Sequence, residues 1–194
     1  MRIIAGKYGG RKIDVPKGLE VRPTIDRVRE SMFSSLISLT GGLEGSSILD
    51  AFAGSGALGF EAVSRGAKNL ISFENNKRNY ENLVENYQML KDDDANIKLL
   101  FADVKHAKFE YVCKDFKFDV LFFDPPYENL PSDILDILKS LIKVDRLEKN
   151  ANVVYEHAAK NDFDAYVELF AMEGFSLVNS KVYNEVAVEY LRYI

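Results

Sequence analysis

Asp124 ends an apolar run, Val120–Phe123, and is followed by Pro125, Pro126 and Tyr127. Two consecutive prolines fix φ and remove two backbone donors, so a core strand has to stop there. The stop leaves one carboxylate and one phenol ring at the carboxyl end of a strand. In open α/β sheets that end is where ligands bind. A second group of residues lies upstream, in Asp50-Ala51-Phe52-Ala53-Gly54-Ser55-Gly56-Ala57-Leu58-Gly59. Gly54, Gly56 and Gly59 form a G-x-G-x-x-G turn, and Glu74 lies 20 residues beyond Gly54. Glycines let the backbone approach a ligand closely, and a carboxylate such as Glu74 accepts from a ribose diol.

Two cofactors use such a turn. A nicotinamide dinucleotide would lay its pyrophosphate on the turn and its ribose on Glu74. Asp50, four residues before Gly54, is awkward beside a pyrophosphate and suits a cationic group. Asp103 and Asp124 add two further acids, so four successive strand tips are anionic. That pattern fits S-adenosylmethionine, which carries an ammonium and a sulfonium and no phosphate. Asp103 is placed to accept from an adenine amino group.

The elements that must hold these residues alternate along the chain. Residues 1–23 are Gly-rich and basic and are expected to form a β-hairpin or extended arm, followed by one domain over 24–194. Ile25, Val28, Met32, Leu36 and Leu39 share a helical face, with Thr24 as the expected N-cap and Gly41-Gly42 as the stop. Strands are expected at 47–52, 69–73, 97–101, 119–123 and 152–155. Helices are expected at 57–65, 77–90, 132–144 and around 163–170, with a weak one after Asp103. Residues 175–183 and 186–193 should form an antiparallel hairpin across Asn184-Glu185. The sum is an α/β fold: a doubly wound, mostly parallel seven-stranded sheet closed by a C-terminal antiparallel hairpin.

Composition sets bounds on function. The 194 residues suffice for one full core. One cysteine, Cys113, excludes an intrachain disulfide and suits a reducing cytoplasm. With two histidines, His106 and His157, no metal site is expected. No run reaches the length of a membrane span and the N-terminus has no signal-peptide pattern, so a soluble, cytoplasmic protein is expected. Residues 1–30 carry eight Lys/Arg against four acids, and the remainder 17 against 26. A basic head on an acidic body points to a local polyanion contact. Glu156-His157, at the end of the fifth strand, are expected at the surface, with the pocket mouth as the alternative, and His106 and Cys113 as structural.

At these residues the chain resembles the class I S-adenosylmethionine-dependent methyltransferases. More narrowly, it resembles the bacterial 16S ribosomal RNA guanine-N2 methyltransferase D family. The resemblance covers Ile3-Ile4-Ala5-Gly6-Lys7-Tyr8-Gly9-Gly10-Arg11, Arg22-Pro23-Thr24 with Asp26-Arg27-Val28-Arg29-Glu30, the glycine turn, Ser64-Arg65-Gly66-Ala67 and Asp124-Pro125-Pro126-Tyr127. The last motif by itself is shared with DNA adenine-N6 methyltransferases.

The resemblance implies S-adenosylmethionine as cofactor, held by Thr24, Asp50, Ala53, Gly54, Ser55, Gly56, Glu74, Asn75, Asp103 and Asp124. It implies catalysis by Asp124, Pro125, Pro126 and Tyr127. The acid, with the Pro125 carbonyl, would accept from an exocyclic amine and hold its lone pair in line, and Tyr127 would stack on the base. Lys7, Arg11, Lys12 and Arg22 are the candidate RNA phosphate contacts. The implied partner is ribosomal RNA within the small subunit, met by a monomer. A DNA adenine methyltransferase and a non-catalytic RNA-binding assembly module are the competing readings.

Overall fold

The computed structural model describes residues 1–15, 23–90, 94–126 and 129–194, and of residues 23–25 the backbone. The expected contributions of Arg22 and Tyr127, and of the Thr24 side chain, lie outside the described residues. The elements are α1 (Pro23–Thr40), β1 (Ser47–Asp50), α2 (Ala57–Ser64), β2 (Asn69–Glu74), α3 (Lys77–Leu90), β3 (Asn96–Phe101), α4 (Phe109–Val112), β4 (Phe118–Phe123), α5 (Pro131–Lys143), β5 (Leu147–Ala158), α6 (Asp164–Met172), β6 (Phe175–Tyr183) and β7 (Val186–Tyr193). Among the described residues no helix is long and apolar enough to cross a membrane.

One seven-stranded sheet has the order β3-β2-β1-β4-β5-β7-β6. The first five strands pair in parallel, and β7 pairs antiparallel with both β5 and β6. The predicted doubly wound sheet and C-terminal hairpin are therefore present. Asn184 takes a φ of 54° in the two-residue turn that joins β6 to β7, as a tight hairpin requires of its central residues.

The central strands are buried on both faces, as parallel strands covered by helices must be. One face packs Phe123, Tyr155 and Leu191 against Phe109 of α4, Ile134 and Leu138 of α5, and Phe170 of α6. The other packs Phe122, Val154 and Tyr190 against Met32 and Leu36 of α1, Phe60 of α2 and Leu83 of α3. Ile3, Tyr8 and Ile13 from the N-terminal arm join this second core.

Among the described residues the arm is closed by one antiparallel bridge, Arg2–Lys12. It is tied to α2 by the buried Glu61, whose carboxylate accepts from Ile4 N at 2.6 Å, Ala5 N at 3.1 Å and Arg65 Nε at 2.7 Å. Gly6 lies at φ +83° with the Ser64 carbonyl where a Cβ would be. No other residue fits that approach.

Several boundaries differ from the sequence expectation, three of them for identifiable reasons. α1 starts at Pro23, placing Thr24 inside its first turn; proline at the first helical position is pre-organised for the helix. α5 starts at Pro131, with Asp133 Oδ2 accepting from Leu130 N at 2.9 Å, so Asp133 caps from inside the first turn. β5 is 12 residues long rather than four. Its polar start, Glu148-Lys149-Asn150, hid it, and its register shifts against β4 between Phe118 and Val120.

Candidate active site

Chain direction puts the ends of β1, β2, β3 and β4 on one edge of the sheet. There a cavity of about 1240 Å³ opens. Its walls include Ala53, Gly54, Ser55, Glu74, Asn75, Asp103, Asp124, Pro125 and Pro126. These nine predicted residues come from four loops far apart in the chain, and the fold brings them together. α1 adds Val28, Arg29 and Met32, and the β6–β7 turn adds Tyr183, Asn184 and Glu185.

The glycine turn is built for close approach. Gly54 sits at φ +54° with open space where a Cβ would be. Gly56 has φ +84° and begins α2, and a Cβ there would strike Phe60 and Leu83. Gly59 lets α2 close on the sheet, and its N–H donates to Asp50 Oδ2 at 3.0 Å. Gly56 and Asp50 therefore shape the turn from behind and are not on the cavity wall. Burial pushes the Asp50 carboxyl up to about 7; the Gly59 N–H opposes this, and Asp124 and Glu74 add to it.

The other acids divide by what they touch. Glu74 accepts from Gly54 N at 2.9 Å through Oε2 and from Asn76 N at 2.7 Å through Oε1. Asp103 Oδ1 accepts from Lys105 N at 2.9 Å, capping a short 3-10 turn. Asp124 makes no hydrogen bond among the described residues. It is open to the cavity yet sits in a deep recess crowded by protein, and this burial pushes its carboxyl up to about 6. The Pro126 carbonyl accepts from Asn129 N at 2.9 Å and from Asn129 Nδ2 at 3.1 Å.

Glu156 corrects the sequence expectation. It lines the cavity rather than the outer surface. Burial first, then the Asp124 charge, raise its carboxyl to about 8. The signal for it was positional: Phe123 pairs with Tyr155 across β4 and β5, so the next residue on each strand shares one edge. His157 is also inside, with Nε2 3.3 Å from Glu189 Oε1 and Nδ1 3.0 Å from the Ala158 carbonyl.

Arg29 is a second residue the sequence did not single out for the site. It is buried on α1, where burial lowers its pKa. Nη2 donates to the Arg2 carbonyl and to Asp26 Oδ1, while Nε and Nη1 have no hydrogen-bond partner among the described residues.

The basic candidates on the arm stand away from this wall. Lys7 Nζ pairs with Asp94 at 2.5 Å, Lys12 with Asp14 at 2.6 Å. Arg11 donates to the Leu90 carbonyl at 2.7 Å and stacks over the Tyr8 ring at 4.6 Å. It thus caps the C-terminal end of α3.

Comparison with known proteins agrees with this geometry. A family model described as conserved hypothetical protein 95 matches residues 1–192. The ribosomal RNA small subunit methyltransferase D of Haemophilus influenzae is 37% identical over 142 residues, 71% of this chain and 70% of that protein. An Escherichia coli structure, yhhF, provisionally named a methyltransferase, superposes with a TM-score of 0.77 at 30% identity, over 100% of this chain and 97% of that one. The Synechocystis magnesium protoporphyrin IX methyltransferase with bound SAM shares the fold at 13% identity, with a TM-score of 0.67 over 90% of this chain and 86% of that one. The chain belongs to the family whose curated members include ribosomal RNA small subunit methyltransferase D, and its fold is that of the class I methyltransferases.

Proposed function

We propose that the protein transfers a methyl group from S-adenosylmethionine to the exocyclic N2 of a guanine in small-subunit (16S) ribosomal RNA. One observation carries the reading: the Asp124 carboxylate has no hydrogen-bond partner among the described residues and faces the same cavity as the Glu74-anchored glycine turn. The name of the Haemophilus relative supports ribosomal RNA as the substrate.

The residues present fit the cofactor. Gly54 leaves open space for a ligand against the backbone. Glu74 holds spare lone pairs for a ribose diol, Asp103 has a second oxygen for an adenine amine, and Asn75 and Ser55 border them. Arg29, on the α1 side of the cavity, adds positive charge suited to an amino-acid carboxylate. Asp50 adds negative charge from behind the turn. When bound, this cofactor supplies a methyl group on a cationic sulfur.

The chain's own part is orientation. An aryl amine is a weak nucleophile because its lone pair is delocalised into the ring. Asp124 accepts one N2–H, favours a pyramidal nitrogen and aims the lone pair at the methyl carbon. The Asp124 carboxylate would then take the surplus N2 proton released by the methylated amine. Pro125 and Pro126 keep that carboxylate from following the base, so alignment costs little at the moment of transfer. Tyr127, the next residue, is assigned to stack on the base. A target amine must be unpaired or flipped to reach the recess.

Lys7, Arg11, Lys12 and Arg22 are assigned to RNA phosphates, which position without specifying sequence. The working form is a cytoplasmic monomer acting on an assembled or nearly assembled subunit. The test offers radiolabelled cofactor to unmethylated small subunits, free ribosomal RNA and DNA in parallel, followed by nucleoside analysis. N2-methylguanosine from the RNA arms is expected; N6-methyladenosine, or methylated DNA alone, overturns the reading.

A further inference from the structure

Five acids stand on the carboxyl side of five successive parallel strands, four at or just past a strand end and Glu156 near the end of β5, and their partners separate them. Asp50, Glu74 and Asp103 each accept a backbone N–H. Asp124 and Glu156 accept none among the described residues, and both face the cavity. The pairing of Phe123 with Tyr155 places them side by side on neighbouring strands, whose backbones run about 4.8 Å apart. Two unshielded carboxylates so close do not both ionise readily, so the pair retains a proton at neutral pH.

The surroundings decide which one. Glu156 interacts electrostatically with Asp124, just past β4, and with Tyr190 of β7, and it shares the cavity wall with Arg29 and Met32 of α1 and with Tyr183 and Glu185 at the hairpin end. Asp124 is the neighbour whose charge raises Glu156, and burial acts on it first. Asp124, raised only to about 6, is the member that ionises.

We infer that Glu156 reads the Watson–Crick edge of the acceptor base as a neutral carboxylic acid, its O–H donating to guanine O6 and its C=O accepting from N1–H, beside Asp124 on N2–H. The inference rests on the guanine reading above. Guanine presents acceptor, donor, donor along that edge, and the two carboxyls offer donor, acceptor, acceptor. Adenine meets the same pair with its amine on Asp124, N1 on the O–H and a C–H against the remaining oxygen, so one hydrogen bond is lost. Ionisation of Glu156 removes the donor and sets a negative charge against O6. A buried polar group left unmatched is what gives such a site its discrimination.

Glutamine has the same shape and the same donor–acceptor pair, and it does not ionise. Wild type, Glu156→Gln and Glu156→Ala are therefore compared on unmethylated small subunits from pH 6 to 9.5, with nucleoside analysis of each product and calorimetric affinity for S-adenosylmethionine. Wild type is expected to form N2-methylguanosine, with kcat/KM falling above about pH 8 as Glu156 ionises. Glu156→Ala should lose about 10- to 100-fold in kcat/KM. Glu156→Gln should restore most of that loss and flatten the alkaline limb, with cofactor affinity retained in both variants. A Gln variant as impaired as Ala, or one that keeps the alkaline limb, overturns the inference while leaving the guanine reading intact. A wild-type product other than N2-methylguanosine overturns the guanine reading itself.

Discussion

The Glu74 carboxylate accepts the Gly54 N–H at 2.9 Å, joining the tip of β2 to the glycine turn that follows β1. This bond fixes the turn before any ligand arrives, and Asn76 N holds the other carboxylate oxygen at 2.7 Å. One side chain both shapes the turn and presents charge to the cavity. Glu74→Ala should therefore weaken S-adenosylmethionine binding by about 10- to 100-fold, the range for loss of a charged hydrogen-bond partner. Glu74→Gln, which keeps one acceptor, should fall between. Calorimetry checks this, and unchanged affinity in Glu74→Ala would remove Glu74 from the cofactor site.

Asp124 should separate chemistry from cofactor binding. Its substitution by Ala should lower kcat by about 10²–10³-fold, as expected for a group that acts in the transition state. Affinity for S-adenosylmethionine should stay within about threefold, because the turn and Glu74 are untouched. Single-turnover rates with labelled cofactor give the first quantity and calorimetry the second. Near-normal turnover would show that another group orients the amine.

Glu61 joins three elements from inside the protein: the arm through Ile4 and Ala5, α2 on which it lies, and the Arg65 guanidinium. Its side chain is fully buried. Glu61→Ala leaves two backbone donors and a half-buried cation unmatched, which costs about 3 kcal/mol. At roughly 2–4 °C per kcal/mol for a chain of this size, thermal unfolding should drop by about 6–12 °C. A drop of only a degree or two would mean that the arm holds without this carboxylate.

Asp50 sets a pH dependence of stability. Its folded carboxyl titrates near 7 and its unfolded one at about 3.9. Between those values the folded chain holds the extra proton. Its contribution to stability is complete below about pH 4 and declines as pH rises through 7. Asp50→Asn keeps an acceptor for Gly59 N and removes the titration. The melting temperature of the variant relative to wild type should rise from pH 4 to 8. A flat difference would show that Asp50 ionises as freely as in solvent.

Lys12 and Arg11 should respond differently to substitution. The Lys12 side chain is largely solvent-exposed beside Asp14, so Lys12→Ala should leave the melting temperature unchanged. It should reduce the slope of log affinity for RNA against log salt by about one contact. Arg11 caps the end of α3 through the Leu90 and Met89 carbonyls, so Arg11→Ala should lower both. Filter binding at several salt concentrations, run beside thermal melts, tests the pair.

Much of this site was legible in one dimension, because certain residues impose conformation by themselves. Pro125 and Pro126 end a strand wherever they occur, which marks Asp124. Gly54, Gly56 and Gly59 permit a turn that side chains would block, and strand–helix alternation dictates a parallel sheet with its carboxyl edge as the ligand face. Glu156 carried no such local mark: β5 continues through it to Ala158, and its place beside Asp124 is set by register with β4. Arg29 is one of several charges in α1, and only the docking of the arm on α2 encloses it. Asp50 was recognisable as a strand-end acid, but the closure of α2 turned it toward Gly59 and away from the cavity wall. Backbone conformation is dictated by near neighbours in the chain. Burial, and hence which carboxyl keeps its proton, depends on distant segments and is decided only when the sheet assembles.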